Sequence, residues 1–258
     1  MVITSRENKI YKLSLRLSEK RGRDENGLFL IEGVRSVRDA FFKGAEFSFV
    51  LLCEGTTFSD DFGCSVYTLA PRLFREISDT VNPQGIIAAC RIPSSSEADI
   101  LKRNKNLVIM CEAVQDPGNI GTVIRTAHAA GAGGVVLTKG CCDLFNPKIV
   151  RATMSGIFSI PVLTGADSEK IIASFKKNGY KVIAGALSER STDLFSSDLR
   201  GKHLIIIGNE ANGVKEETLS LCDSLLKIPM QADAESLNAS VACGILAYEH
   251  LRQNVNKL

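Results

Sequence analysis

The second half of the chain is organised around five short apolar runs: LVIMCEAV (107–114), GVVLT (134–138), KVIAGAL (181–187), HLIIIG (203–208) and LLKIPM (225–230). The first is apolar almost without interruption, as a strand is when a parallel sheet buries both its faces. Amphipathic stretches between the runs predict helices over Ile120–Ala130, Pro147–Phe158, Ser168–Lys177 and Val214–Leu221. Strands alternating with helices leave an α/β layer structure with a mostly parallel sheet as the fold class. Local chemistry agrees with these boundaries. Asn119 and Asn146 suit helix N-caps, Pro147 a first helical position, and Gly131 and Gly179 the ends of helices.

A final helix is predicted over Ser236–Arg252. Leu237, Val241, Ile245 and Tyr248 make one stripe, and Ala239, Ala242, Cys243, Leu246 and Ala247 fill much of the rest. A helix apolar nearly all round must be covered on more than one face, by a deep core or by a second subunit.

The first 92 residues form a smaller block. Strands are expected at Leu28–Glu32, Phe47–Cys53, Ser65–Leu69 and Gly85–Arg91, with helices at Val34–Lys43 and Pro71–Ser78. Ahead of them, residues 1–23 carry seven basic residues against Glu7 and Glu19, a local balance of +5 in a chain whose net charge is only +2. Ile10, Leu13 and Leu17 recur at helical spacing, so this segment reads as a basic amphipathic helix, either a solvated face or a phosphate-contacting arm. The polar, serine-rich stretch IPSSSEADILKRNKN (92–106) reads as a linker. The expected organisation is therefore a domain at 1–92, a linker at 93–106 and a second domain at 107–258.

No apolar run approaches the roughly 18–20 residues that span a bilayer, and the N-terminus lacks the apolar core of a secretory signal. The eight cysteines contain no C-x-x-C pair, and several stand inside apolar runs as small buried hydrophobes. A reduced, cytoplasmic protein with no structural metal is the expectation.

An α/β block raises the question of nucleotide binding. G-x-G-x-x-G after the first strand is absent, GAGGVV (131–136) precedes a strand instead, and no G-x-x-x-x-G-K-[ST] or G-x-S-x-G occurs. Polar clusters do follow the apolar runs, where ligands of open α/β sheets bind. QDPGNIGTVIRTA offers Asn119 and Arg125, IIIGNEANGV offers Glu210 between Gly208 and Gly213, and IPMQADAESLNASVA offers Ser236 and Asn238. Each cluster also has a plainer explanation: a cap at Asn119, Ser236 or Asn238, a surface ion pair at Arg125, a turn at 209–213.

In this order, D-P-G-N-I-G-T-V-I-R, I-I-G-N-E-A-N-G and I-P-M-x6-S-L-N-A-S-V-A resemble the three signature motifs of SpoU/TrmH RNA ribose 2′-O-methyltransferases, a branch of the SPOUT superfamily. The resemblance covers 107–252. GLFLIEGVRSVRDA and TVNPQGIIAA resemble the ribosomal-protein-L30e-like substrate-binding domain often attached to this family. The resemblance implies a trefoil-knotted catalytic domain, a homodimer joined through it, and S-adenosylmethionine held in the knot by Gly208, Ile228, Met230 and Leu237. It also implies a catalytic and RNA-facing set of Asn119, Arg125, Glu210, Ser236 and Asn238. Lys9, Lys12, Arg16, Arg23 and Arg35 would contact RNA from the first domain, with 23S-type ribosomal RNA expected over tRNA. Arg125 would activate the ribose hydroxyl, as a charge organiser more readily than as a base, because a guanidinium stays protonated. Two other classes remain open: an RNA-binding ribosome-assembly factor that has lost the chemistry, and a small-molecule α/β enzyme with no use for the basic helix.

Overall fold

The computed structural model describes residues 2–231 and 235–255. In chain order the elements begin β1 (Val2–Ile3), α1 (Lys9–Arg16), α2 (Lys20–Asn26), β2 (Leu28–Glu32), α3 (Val34–Phe42), β3 (Phe47–Cys53), β4 (Ser65–Leu69), α4 (Pro71–Ile77) and β5 (Ile86–Arg91). They continue α5 (Glu97–Lys102), β6 (Leu107–Cys111), α6 (Pro117–Ala129), β7 (Val135–Thr138), α7 (Pro147–Ala152), β8 (Val162–Ala166) and α8 (Ser168–Lys177). The last are β9 (Lys181–Gly185), β10 (Thr192–Asp193), β11 (His203–Ile207), α9 (Glu216–Ser220), β12 (Ser224–Lys227) and α10 (Ala239–Asn254). These divide into two compact units, one running to Pro93 and including Asp143–Phe158, the other comprising Ser94–Cys142 and the chain from Ser159 onward.

The first unit is a five-stranded mixed sheet in the order β1-β4-β3-β5-β2. Side chains alternate across a strand, and the two faces separate accordingly. Phe49, Leu51, Ile87 and Ala89 meet Tyr11, Leu17, Leu73 and Phe74 on one side. Val50, Ile86, Ala88 and Cys90 meet Val37 and Ala40 on the other.

The single basic helix expected up to residue 23 is two helices. Leu17 caps α1, and α2 begins at Lys20, because the chain folds back on itself there: a Cβ on Gly22 would lie 1.9 Å from the Arg16 carbonyl oxygen. Arg23, expected among the RNA contacts, is only 3% exposed. Its guanidinium donates to the carbonyls of Leu17 (2.9 Å) and Ser18 (2.7 Å) freed at this break, and pairs with Asp143. Arg23 is therefore a structural residue, whereas Lys9, Lys12, Arg16 and Arg35 are exposed.

Asp143–Phe158 was expected in the second domain and packs instead within the first unit. Val150 joins the core beside Phe29 and Val37, and the rings of Phe145 and Phe158 lie 4.8 and 6.1 Å from that of Phe29. Asn146 caps α7 as expected. The helix stops well short of Phe158, because Met154 and Ser155 adopt φ of 48° and 63°, outside the helical region.

The second unit is a seven-stranded sheet in the order β10-β12-β9-β11-β6-β7-β8, with every pairing parallel. Val108, Met110, Leu204 and Ile206 face a core with Ile171, Ile172 and Phe175 of α8. On the opposite face α10 packs against α6, β9 and β11.

The expected linker is also corrected. Ser96 and Asp99 form a capping box, with Ser96 N–H donating to the Asp99 carboxylate (2.9 Å), and α5 follows. Ile100, on α5, is fully buried with Val108, Met110 and Phe175. Residues 232–234 within the third motif, and 256–258 at the end of the expected second domain, lie outside the described residues. No helix among those described is long and apolar enough to cross a membrane.

If α5 belongs to this core, Ile100→Ala should destabilise the second unit by about 2–5 kcal/mol, the usual cost of truncating a buried aliphatic side chain. Urea denaturation followed by circular dichroism measures it. A change within error would return 93–106 to linker status.

Candidate active site

With all seven strands parallel, the carboxyl ends of β6, β11 and β12 lie along one edge of the sheet, and the three motif segments leave from that edge. The register places Cys111 at the end of β6 opposite Ile207 at the end of β11. Ligands of open α/β sheets bind at this edge.

The head of α6 is built by Asp116 rather than by Asn119. The Asp116 carboxylate accepts the Asn119 backbone N–H at 2.8 Å and caps the helix, with Pro117 in its first turn. Asn119 is thereby released from capping, and its side-chain amide donates to Glu210 at 2.8 Å. The Glu210 carboxylate also accepts the backbone N–H of Gln115 (3.2 Å) and of Asp116 (3.1 Å). The first and second motifs are thus joined directly. Partial burial opposes the Glu210 charge, but the donors from Asn119, Gln115 and Asp116 together outweigh it and hold its pKa below the ordinary carboxylate value.

The loop carrying Glu210 closes on itself. Asn209 N–H donates to the Gly213 carbonyl and Gly213 N–H to the Asn209 carbonyl, both at 2.9 Å. The Asn209 side-chain oxygen accepts from the N–H of Ala211 and Asn212, while its amide donates to the Ala113 carbonyl at 2.8 Å. Gly208 is one of the residues expected at the cofactor. In the structure it makes room for its own chain, since a Cβ there would stand 2.1 Å from the Gly213 carbonyl carbon. Gly213 takes φ +67°, where only glycine is unstrained.

Asn238 is the N-cap of α10, its oxygen accepting from Ser240 N–H (2.9 Å), Ser240 Oγ (2.7 Å) and Val241 N–H. That leaves its amide N–H groups without a partner among the described residues. Ser236 and Leu237 are exposed just ahead of it, and Ile228 and Met230 are half-buried after β12. Arg125 stands two turns into α6, exposed and without a carboxylate partner among the described residues, so the surface ion-pair explanation does not hold. Of the expected set, Asn119 and Glu210 are joined by a hydrogen bond. Arg125 is on α6, Asn238 caps α10 and Ser236 lies two residues ahead of that cap; the two helices pack together, Gly244 facing Thr126.

The sequence reading overlooked two acidic residues. Asp116 is the helix cap, and its aspartate before a proline was a visible signal. Glu112 lies inside the first apolar run and is only 2% exposed. Among the described residues, no group of three or more His, Cys, Asp and Glu side chains could hold a metal ion. Burial raises the nearby Cys142 thiol to about 11, so it carries no thiolate at neutral pH.

The model of the SpoU rRNA Methylase family matches residues 106–248. This chain belongs to that family. Residues 8–88 match the MRM3-like substrate binding domain. RlmP of Bacillus subtilis, a 23S rRNA (guanosine(2553)-2′-O)-methyltransferase, is 35% identical over 97% of this chain and 98% of its own length. An AdoMet-bound rRNA methyltransferase from Sinorhizobium meliloti superposes with a TM-score of 0.86 at 29% identity, covering 99% of each chain. The SpoU methyltransferase AviRb of Streptomyces viridochromogenes, in complex with AdoMet, gives 0.86 at 27% identity over 96% and 98%. The matched range contains all three polar segments that follow β6, β11 and β12.

Because the folded pKa of Glu210 is depressed, its charge contributes stability above the ordinary carboxylate range, and that contribution is lost as pH falls through the lowered value. Glu210→Gln should therefore flatten part of the acid side of the stability profile, measured as the urea midpoint between pH 3 and pH 7. Profiles of identical shape would show that the three donors do not hold its charge.

Proposed function

We propose that the chain transfers the methyl group of S-adenosylmethionine to a ribose 2′-hydroxyl of RNA, with 23S-type ribosomal RNA as the substrate. The observation that carries this reading is the Asn119–Glu210 clamp joining two SpoU motifs at the carboxyl edge of the sheet. Similarity to an rRNA 2′-O-methyltransferase along nearly the whole chain supports rRNA over tRNA.

The self-closed loop after Gly208, with Ile228, Met230 and Leu237, fits the cofactor. The loop offers fixed backbone polar groups and the three side chains half-buried or exposed apolar surface, the two kinds of contact suited to a molecule with a polar amino-acid end and a flat base. When bound, S-adenosylmethionine supplies an electrophilic methyl on a sulfonium. The protein's share is to align the ribose oxygen and to stabilise it as its proton leaves.

Arg125 suits that task as a guanidinium, with no carboxylate partner among the described residues, that can hold a phosphate and offset the growing negative charge on the 2′-oxygen. Glu210 is engaged by three donors and acts as a positioning residue, as does Asn119. Ser236 and the side-chain amide of Asn238 face the RNA. The first unit delivers the substrate, with Lys9, Lys12, Arg16 and Arg35 contacting phosphates. Val241 and Tyr248, each about half exposed on α10, form the face covered by a second copy in a homodimer. The knot of the SPOUT fold and a cytoplasmic location complete the reading.

Arg125→Ala should lose at least about 100-fold in turnover, the scale of a lost transition-state donor, while binding S-adenosylmethionine as the wild type does. Radiolabelled methyl transfer and calorimetric titration measure the two. Full activity would defeat the assignment. Mapping 2′-O-methyl sites in total RNA with and without the protein should add a site in 23S rRNA, and a new site confined to tRNA would overturn the substrate.

A further inference from the structure

Glu112 has no part in the chemistry described so far, yet it is one of the few carboxylates buried in the second unit. Val108 and Met110 of β6 face the core under α8, and Glu112, two residues further along, faces the same way. Its own N–H continues the ladder to the Ile207 carbonyl at 2.8 Å. Its carboxylate accepts from three neutral donors: Ser168 Oγ at 2.9 Å, Thr218 Oγ1 at 2.6 Å and the Lys215 backbone N–H at 2.9 Å. Among the described residues no cation pairs with it.

A buried, unpaired carboxylate is expensive unless its acceptors are filled. Here they are filled by the segment that most needs holding. α9 has only five residues, too few to be stable on its own. Lys215 at its N-cap makes no side-chain capping bond, and its own backbone N–H donates to Glu112, which ties the start of the helix to β6. α9 begins three residues after Gly213, where the Glu210 loop closes.

We infer that Glu112 is a positioning residue for the cofactor site, acting through Lys215 and Thr218 to fix the downstream end of the 208–213 loop. The upstream end is fixed by β11 and the tip by the head of α6, so Glu112 supplies the remaining anchor. The inference rests on the cofactor reading of that loop given above.

The test uses the full chain with Glu112→Gln, which keeps the shape but turns a donor toward one of three donors. Thr218→Val removes one bond while leaving the carboxylate, and serves if the first variant folds poorly. Glu112→Gln should weaken S-adenosylmethionine binding by about tenfold, or 1.4 kcal/mol, and Thr218→Val should shift it less, in the same direction. Affinity for deproteinised 23S rRNA should be unchanged, and amide hydrogen exchange should accelerate within 208–220 but not in α6 or α10. Wild-type cofactor affinity in both variants would overturn the assignment. So would exchange that rises evenly across the unit with both affinities falling together, the signature of a merely structural role. If the wild-type chain does not bind S-adenosylmethionine, the functional reading fails, and the exchange pattern alone still decides whether Glu112 anchors the loop.

Discussion

Three donors converge on the carboxylate of Glu210: the side-chain amide of Asn119 and the backbone N–H groups of Gln115 and Asp116. The amides at the head of a helix have no partners inside it, and such a place favours an anion. The chain meets that need with a carboxylate from a loop far along the sequence, 91 residues beyond Asn119. One contact therefore sets the entry of α6, the placement of the 208–213 loop, and through α6 the position of Arg125. The same donors make Glu210 a weaker proton acceptor than an ordinary carboxylate. A carboxylate held by three donors with its pKa depressed has little appetite for another proton.

The basic residues of the first unit divide by the same kind of accounting. Arg23 looks like its neighbours in sequence but is consumed by carbonyls that the break between α1 and α2 leaves open, and by Asp143. Lys9 and Arg16 carry no such obligation and stay exposed. A local charge of +5 thus overstates what this segment presents to a polyanion, since the interior takes one of those charges.

The continuous apolar runs were legible because a parallel sheet buries both faces of its strands, and all five matched strands of the second unit. The α8 helix was read to its observed ends, its amphipathic stripe bracketed by Asp167 and Gly179. What escaped had signals of the wrong kind. Strand β8 is an edge strand, partly exposed and without an apolar run. The Ser96 capping box resembled a serine-rich linker until Ile100 was seen in the core. Asn119 carries the chemistry of a cap, yet Asp116 three residues earlier wins that position and frees Asn119 for Glu210. Glu112 was hidden inside an apolar run, since nothing local reveals that Ser168 and Thr218 come to meet it. The three segments were visible as residues, but the joining of the first two depends on contacts between distant parts of the chain that periodicity does not encode.

The strand order has a consequence for the chain as it is made. β6 lies between β7, which follows it closely, and β11, which pairs with it from Leu107↔His203 to Cys111↔Ile207. During synthesis one side of β6 can pair early, while the other waits until most of the protein has emerged. Such non-local pairing folds slowly and leaves an apolar strand edge open in the meantime. Nascent or truncated chains ending before β11 would lack both the Glu210 clamp and the closing strand. Their weakness would be sticking to one another through that open edge, well before any question of activity arises.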